Sequence, residues 1–361
     1  MTKPLDKMHE LVTRAALEER ERSLSKRRHS NPTEPSAAWV TKARIEEELG
    51  YALSVVLATV GCSHARGPYG GCTMCSYLLD GAAEQISSSN IVKQFRKAMS
   101  RLEHKEPPLS VKIYTSGSFL DTEEIPPDAR VKILDIISDD DRVQEVVIET
   151  RPEFIQLSTL EEIKTKLGER TIEIAIGLES SSDVIREVYI NKGFTFQDFK
   201  AAVDLVLSVG LDIRSYVLIK PPFLTEKQAL LDGIQSIKDA ADLGSNTVSV
   251  NPVAVQKDTV VERLWYRRDY RPPWLWTVSE VLRRARQDVS PDVRIICDPV
   301  APGKRRGPHN CGMCDDAFSK AISKFSLTQD AQSLATLDCD CQHSWMHSLE
   351  HEELSLLIHG R

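Results

Sequence analysis

Between residues 50 and 255, short apolar runs alternate with longer amphipathic stretches. The runs cover 53–60, 111–114, 145–150, 171–177, 212–220 and 247–253, and most are rich in Val and Ile. Continuous β-branched runs suit strands that are buried on both faces. The stretches 90–102, 127–138, 159–167, 195–209 and 225–243 read as helices between them. Phe196, Phe199, Val203 and Val206 fall on one face of the fourth. Thr195 with Asp198, and Thr225 with Gln228, have the spacing of N-caps with a partner at N3. Gly210 and Gly244 then stop those two helices. Six strands joined by helices predict an α/β fold with a parallel sheet. The periodicity does not choose between an open sheet and a barrel.

The flanks follow other patterns. Residues 5–28 are rich in Lys, Arg, Glu, Leu and Ala, without Gly or Pro, and end at His29-Ser30-Asn31-Pro32. They read as a charged helix laid across the main domain, within an arm spanning 1–49. Past residue 255 the alternation breaks down. An aromatic, proline-rich segment, 270–276, precedes a predicted helix at 278–287, and the chain ends in a cysteine-rich extension. The predicted domains are thus 1–49, 50–255 and 256–361.

Composition adds limits. The chain has 361 residues, 27% charged and 41% hydrophobic. That is an ordinary globular mix, so collagen-like and disordered readings drop out. Neither a membrane span nor a signal peptide is visible, so the expected location is the cytoplasm. The net charge of −7 hides a split. Residues 116–190 carry 18 acidic and 8 basic side chains, whereas 257–310 carry 12 basic and 7 acidic. The basic stretch includes Arg263, Arg267, Arg268, Arg271, Lys304, Arg305 and Arg306, interleaved with Trp265, Tyr266, Tyr270, Trp274 and Trp276. Arginine with aromatics suits RNA phosphates and bases; a core edge with a solvated rim would read the same.

The eight cysteines fall into two groups, which points to two metal sites in a reducing compartment. Cys62, Cys72 and Cys75 lie on a glycine-rich loop directly after the first strand, with spacing C-x9-C-x2-C. Three thiolates without an obvious fourth suit a [4Fe–4S] cluster with one open iron. The spacing also leaves open a zinc site completed by His64 or a distant residue.

This loop in a repeated β/α chain resembles the radical S-adenosylmethionine (SAM) superfamily, in particular its elongator-like branch. Met74 stands where the superfamily commonly has an aromatic. Ser116-Gly117-Ser118, after strand two, is similar to the turn that receives the SAM amino group. Glu149-Thr150-Arg151-Pro152 and Gly177-Leu178-Glu179-Ser180 resemble the motifs that end strands three and four. Asn191-Lys192-Gly193-Phe194-Thr195 resembles the elongator-type N-R-G-H-T stretch, departing at Lys and Phe. The resemblance implies a partial (β/α)6 TIM-like barrel. Its cofactor-binding residues would be Cys62, Cys72, Cys75, Met74, Ser116, Gly117, Ser118, Glu149, Arg151, Glu179 and Ser180, with the three cysteines as the catalytic cluster ligands.

Cys311, Cys314, Cys339 and Cys341 form two close pairs, C-x2-C and C-x-C, matching a closed zinc site. Cys297 and His309 are spare candidates, and a second iron–sulfur cluster is the alternative occupant. His343, His347 and His351 recur every fourth residue and read as a solvated helix face rather than a metal site.

The run 298–311, with 270–276, Lys220-Pro221-Pro222-Phe223 and the late Cys-Asp-Cys, resembles the archaeosine synthase beta subunits, the archaeal radical SAM enzymes of archaeosine formation. That family acts on a 7-deazaguanine base in the D-loop of archaeal tRNA. A lysine-transferring synthase subunit first joins lysine to the base; the radical SAM lyase then cleaves the lysine C–N bond, leaving archaeosine. The resemblance therefore implies a [4Fe–4S] cluster, SAM, a tRNA substrate, that partner subunit and an electron donor. Glu149, Arg151, Glu179 and Lys220 are candidates to bind the ammonium and carboxylate of the lysine adduct. The residues leave two other readings open: another elongator-like tRNA modifier, and a non-enzymatic zinc and RNA-binding protein.

Overall fold

The computed structural model describes residues 3–25 and 31–352. The arm opens with α1 (Lys3–Leu24). The remainder of the predicted arm helix, 26–28, and the stop residues His29 and Ser30 lie outside the described residues. The arm also holds a strand that the pattern did not suggest. β1 (Ala37–Ile45) pairs antiparallel with β2 (Glu48–Val56), so their hairpin runs across residues 49 and 50. The turn has no glycine; Glu46 adopts the positive φ of 50° that it needs.

Next come α2 (Ser63–Arg66), a 3₁₀ turn (Tyr77–Asp80), α3 (Ser88–Met99) and β3 (Leu109–Tyr114). Strands and helices then alternate through α4 (Pro127–Ser138), β4 (Val143–Thr150), α5 (Leu157–Leu167) and β5 (Thr171–Glu179). A π-helical turn (Val184–Tyr189) leads to α6 (Phe196–Ser208), β6 (Asp212–Ile219), α7 (Glu226–Asp242) and β7 (Thr247–Pro252). The extension adds α8 (Val260–Tyr266), α9 (Leu275–Asp288), β8 (Arg294–Cys297), α10 (Asp315–Thr328), α11 (Gln332–Ala335) and α12 (Gln342–His351). Both predicted capping boxes are present, at Thr195 and Thr225, and Gly210 and Gly244 take positive φ behind them.

The first predicted strand ends earlier than its apolar run. Leu57 and Ala58 are buried, yet β2 stops at Val56. The Gln94 amide on α3 donates to the Ala58 carbonyl (3.1 Å) and accepts from its N–H (2.8 Å). A side chain thus replaces the sheet ladder there.

The eight strands are ordered as in the sequence, and β2 to β8 are all parallel. This is a curled half-barrel with the N-terminal helix and the cysteine-bearing extension that the sequence suggested. β8, only four residues long, is a parallel strand beyond the predicted six. The sheet's outer face packs on helices through Ile113, Ile148, Ile174, Val217 and Val250, all fully buried. The inner face is partly open. Lys112, Tyr114, Glu149, Gly177, Tyr216, Ser249 and Asn251 are half-exposed while their strand neighbours are buried, the period-2 signature of a cavity wall.

The opposite end of the half-barrel is closed. Arg214 pairs with Glu173, which also accepts from Thr247 (2.5 Å), and Ser110 donates to Glu145 (2.6 Å). The hairpin tip lies across this end: Thr171 donates to Glu46 (3.3 Å) and Arg294 to the Arg44 carbonyl (2.9 Å). The strands' C-terminal ends therefore offer the open mouth, where α/β sheets place their sites.

Candidate active site and metal centre

Cys62 follows β2 at the mouth and starts the loop that carries Cys72 and Cys75; all three are free and half-buried. Burial raises the Cys62 thiol and pushes that of Cys75 up to about 12, and the nearby Cys72 raises both. Arg151 works against this at Cys62, as Arg20 does at Cys75. Gly117 presses directly on Cys62: a Cβ there would lie 2.4 Å from Cys62 Cα and 2.1 Å from Glu124 Oε1. The turn after β3 therefore fixes where the first thiol sits. Ser116 donates to the Tyr77 carbonyl (2.8 Å), and Ser118 shares a hydrogen bond with Thr150 (2.6 Å).

Other elements clamp the loop. Arg20 of α1 donates to the carbonyls of Gly70 and Cys75, both at 3.1 Å. Asn191, with φ 60°, donates to the carbonyls of Tyr69 (2.7 Å) and Gly71 (2.8 Å). Its carbonyl accepts from His64 Nε2 at 2.7 Å. Burial and the Arg151 charge lower His64 to about 4, so the imidazole is neutral near pH 7. Thr73 donates to the Ile190 carbonyl (2.9 Å) and accepts from Val261 N–H of α8 (3.1 Å). Met74 is half-buried against the apolar cluster of Val253, Val255, Val260 and Leu264.

The stretch Asn191–Thr195 explains its own composition. Lys192 pairs with Glu179 at 2.6 Å, both nearly buried. The pair lies over Gly177, where a Cβ would fall 2.6 Å from both charged groups, so any larger residue would push the pair aside. Arg151 donates to the Lys192 carbonyl (3.1 Å) and to Glu153 (2.5 Å), and lies 5.5 Å from the Phe194 ring centre. Glu149 has none of these partners. It is half-exposed on the inner face, and burial pushes its carboxyl up to about 8 despite the opposing Lys192 charge.

The extension builds a second centre. Cys311, Cys314, Cys339 and Cys341 bring all four thiols within 4.8 Å of one another, a tight group that Cys62, Cys72 and Cys75 do not form. Neighbouring sulfurs are 3.9, 3.7 and 3.7 Å apart. Tetrahedral zinc, with Zn–S near 2.3 Å, would place its sulfurs about 3.8 Å apart. Trp276 Nε1 donates to Cys341 (3.3 Å) and Asn310 to Cys314 (3.4 Å), as suits thiolates. The spare candidates are elsewhere: Cys297 is buried in β8, and His309 is occupied with the Gly307 carbonyl (2.8 Å). His343, His347 and His351 are exposed along α12, as expected.

Among the relatives of this chain are two that match it along most of its length. An archaeosine synthase subunit beta of Methanosarcina acetivorans is 42% identical over 344 residues, covering 95% of this chain and 97% of that protein. One of the same name from Thermococcus kodakarensis is 38% identical over 313 residues, covering 86% and 96%. The chain belongs to the archaeosine synthase subunit beta family. No family model matches it. Among solved structures, an N-terminally shortened Elp3 of Methanocaldococcus infernus aligns with a TM-score of 0.48 at 18% identity, covering 65% of this chain and 59% of that one. Methylornithine synthase aligns at 0.46 and 12%, covering 82% and 71%.

In this member of the archaeosine synthase subunit beta family, two predicted site residues face away from the inner wall. Lys220, 2% exposed, pairs with Glu226 (2.6 Å) and Glu352 (3.1 Å), tying β6 to the extension. Ser180 is fully buried and donates to Asp232 on α7 (2.6 Å). Sequence reasoning missed Arg20, Gln256 and Lys112. Gln256 accepts from Ser76 N–H at 2.8 Å, and no motif marked any of the three. Beside the loop, α8 and the 304–306 turn make a basic rim. Tyr266, Arg267, Arg268, Lys304 and Arg305 are exposed, and Arg306 lies 4.9 Å from the Trp265 ring centre. Trp276 and Tyr270 are buried instead, as part of the core. Among the described residues, no helix is long and apolar enough to cross a membrane.

Proposed function

We propose that this chain is the radical SAM lyase of archaeosine formation, cleaving the lysine C–N bond of a lysine-adducted 7-deazaguanine in the tRNA D-loop. One juxtaposition carries the reading. A clamped three-cysteine loop sits at the mouth of a parallel half-barrel whose inner wall is polar and partly open. Among the described residues the three thiols do not form a group as compact as the four of the extension, and a centre of several irons does not require one.

Cys62, Cys72 and Cys75 would hold three irons of a [4Fe–4S] cluster. Such a cluster, with SAM on its open iron, supplies the electron that splits SAM into methionine and a 5′-deoxyadenosyl radical. The protein's own part is positional. Arg151 and Arg20 favour the ionised thiols. The carbonyls of Thr115, Ser116 and Gly117 accept no hydrogen bond among the described residues, which suits a turn receiving an ammonium. The Lys192–Glu179 pair forms a rigid polar edge for a ribose, and the closed far end of the half-barrel keeps water out. Neutral His64 holds the loop without adding charge. The four-cysteine centre would take zinc as a structural staple. The basic rim would hold tRNA phosphates near the mouth, and the lysine-transferring subunit and a one-electron donor complete the expected partners.

Anaerobic reconstitution tests the reading. The expected result is four irons and one zinc per chain, 5′-deoxyadenosine from SAM and reductant, and archaeosine from lysine-adduct tRNA. A chain that cleaves SAM but leaves lysine-adduct tRNA unchanged would refute the substrate.

A further inference from the structure

We propose that Lys112 and Glu149 form a receptor, inside the half-barrel, for the zwitterionic head of an α-amino acid. The charged side chains around the mouth are nearly all paired: Glu179 with Lys192, Arg151 with Glu153, Lys220 with Glu226 and Glu352. Deeper in, Arg214 pairs with Glu173, and Arg294 lies 3.7 Å from Glu145. Among the described residues, Lys112 is the inner-wall cation, and Glu149 the inner-wall carboxyl toward the mouth, without a side-chain partner at hydrogen-bond or ion-pair distance; Asp212, on the same face, stands at the closed end. Lys112 and Glu149 are half-exposed on a wall whose neighbouring residues are buried, so both reach the cavity.

Their spacing fits one small ligand. Lys112 is the register partner of Val147 on the adjacent strand, and Glu149 stands two residues further toward the mouth. Strand spacing and rise then separate their Cα atoms by roughly 8 Å. Two flexible side chains at that span can meet a carboxylate and an ammonium borne on one carbon. The Tyr216 hydroxyl, from β6 on the same wall, is buried beside Tyr114. Burial and the Arg214 charge, opposed by Glu145 and Glu173, lower Lys112 to about 8, so its charged form is held at a cost. An anionic ligand group removes that cost.

The identity of the amino acid rests on the function proposed above: it is the lysyl group of the adduct, anchored by its free end while the bond to the base faces the mouth. The methionine part of SAM carries the same head group, so the test separates the two. The reconstituted full chain is titrated calorimetrically with Nε-acetyl-L-lysine, with 6-acetamidohexanoate (no ammonium), with N-acetylcadaverine (no carboxylate) and with L-methionine. The wild type is expected to bind Nε-acetyl-L-lysine at least about tenfold more tightly than either truncated analogue. Lys112→Met abolishes the preference for the carboxylate and Glu149→Gln that for the ammonium. Lys112→Arg restores the first, and iron content stays at the wild-type level throughout.

The proposal is overturned if both variants keep the wild-type preferences. It is also overturned if methionine rather than Nε-acetyl-L-lysine loses affinity, or if no zwitterion binds the wild type. Archaeosine formation with the preferences intact in both variants would remove the receptor and leave the function standing. Zwitterion binding as expected without archaeosine would do the reverse.

Discussion

At Gly117 a single added methyl group would lie within 2.4 Å of Cys62 Cα. Gly117→Ala must therefore move Cys62, the first of the proposed cluster ligands, or the turn that carries Ser116 and Ser118. Overpacking of this kind costs about 1–3 kcal/mol, small enough for the chain to stay folded. The expected result is an iron content at least halved after anaerobic reconstitution, with the far-UV circular dichroism unchanged. Lys192 presents the opposite case, since its removal leaves Glu179 nearly buried and unpaired. Lys192→Met should cost about 3–5 kcal/mol in denaturant unfolding, and adding Glu179→Gln should recover most of it. A simple gap left by the lysine stem would show no such recovery.

Between β5 and α7, Ser180 donates to Asp232, whose second carboxylate oxygen is buried without a partner. Burial pushes the Asp232 carboxyl up to about 6, against the opposing Ser180 hydrogen bond. The folded state therefore binds the proton more tightly than the unfolded chain does. This contribution to stability is complete below about pH 4 and disappears as the pH rises through about 6, a swing of about 3 kcal/mol. Asp232→Asn should flatten that slope and melt higher than the wild type at pH 7, while matching it near pH 4. The elements this turn joins were legible in the sequence: β3 to β7 through their continuous apolar runs, α6 and α7 through Thr195 and Thr225. The edges were not. β1 alternates weakly because it is an edge strand, and its turn uses Glu46 where a glycine would have signalled a hairpin. Leu57 and Ala58 extend the apolar run because they are buried, although the Gln94 side chain replaces the ladder at Ala58. Within the site, the loop cysteines and the strand-end motifs were visible. Long-range pairing was not, so Lys220 looked available and Lys112 drew no notice.

Across the whole molecule, the two cysteine groups lie in separate elements, so they should fail separately. Cys311→Ser should remove the metal of the four-thiol centre and lower the melting temperature, while iron bound by the Cys62 loop is retained. Element analysis by plasma emission checks both in one sample. The basic rim is equally separable. Replacing Arg267, Arg268, Lys304 and Arg305 with serine should weaken tRNA binding and flatten its salt dependence, by up to about 0.9 in log–log slope for each phosphate no longer neutralised. SAM cleavage without tRNA should be unchanged. One more consequence follows from α1. Its Arg20 grips the cysteine loop, and its Glu18 reaches Arg263 at 2.9 Å. α1 thus holds together the cysteine loop and a helix from the extension, and its Glu18 and Arg263 stand 245 positions apart in the sequence. Undocking that one helix would strip Arg20 from the loop carbonyls, so iron and sulfide should reach the cysteines most readily in molecules whose α1 is detached.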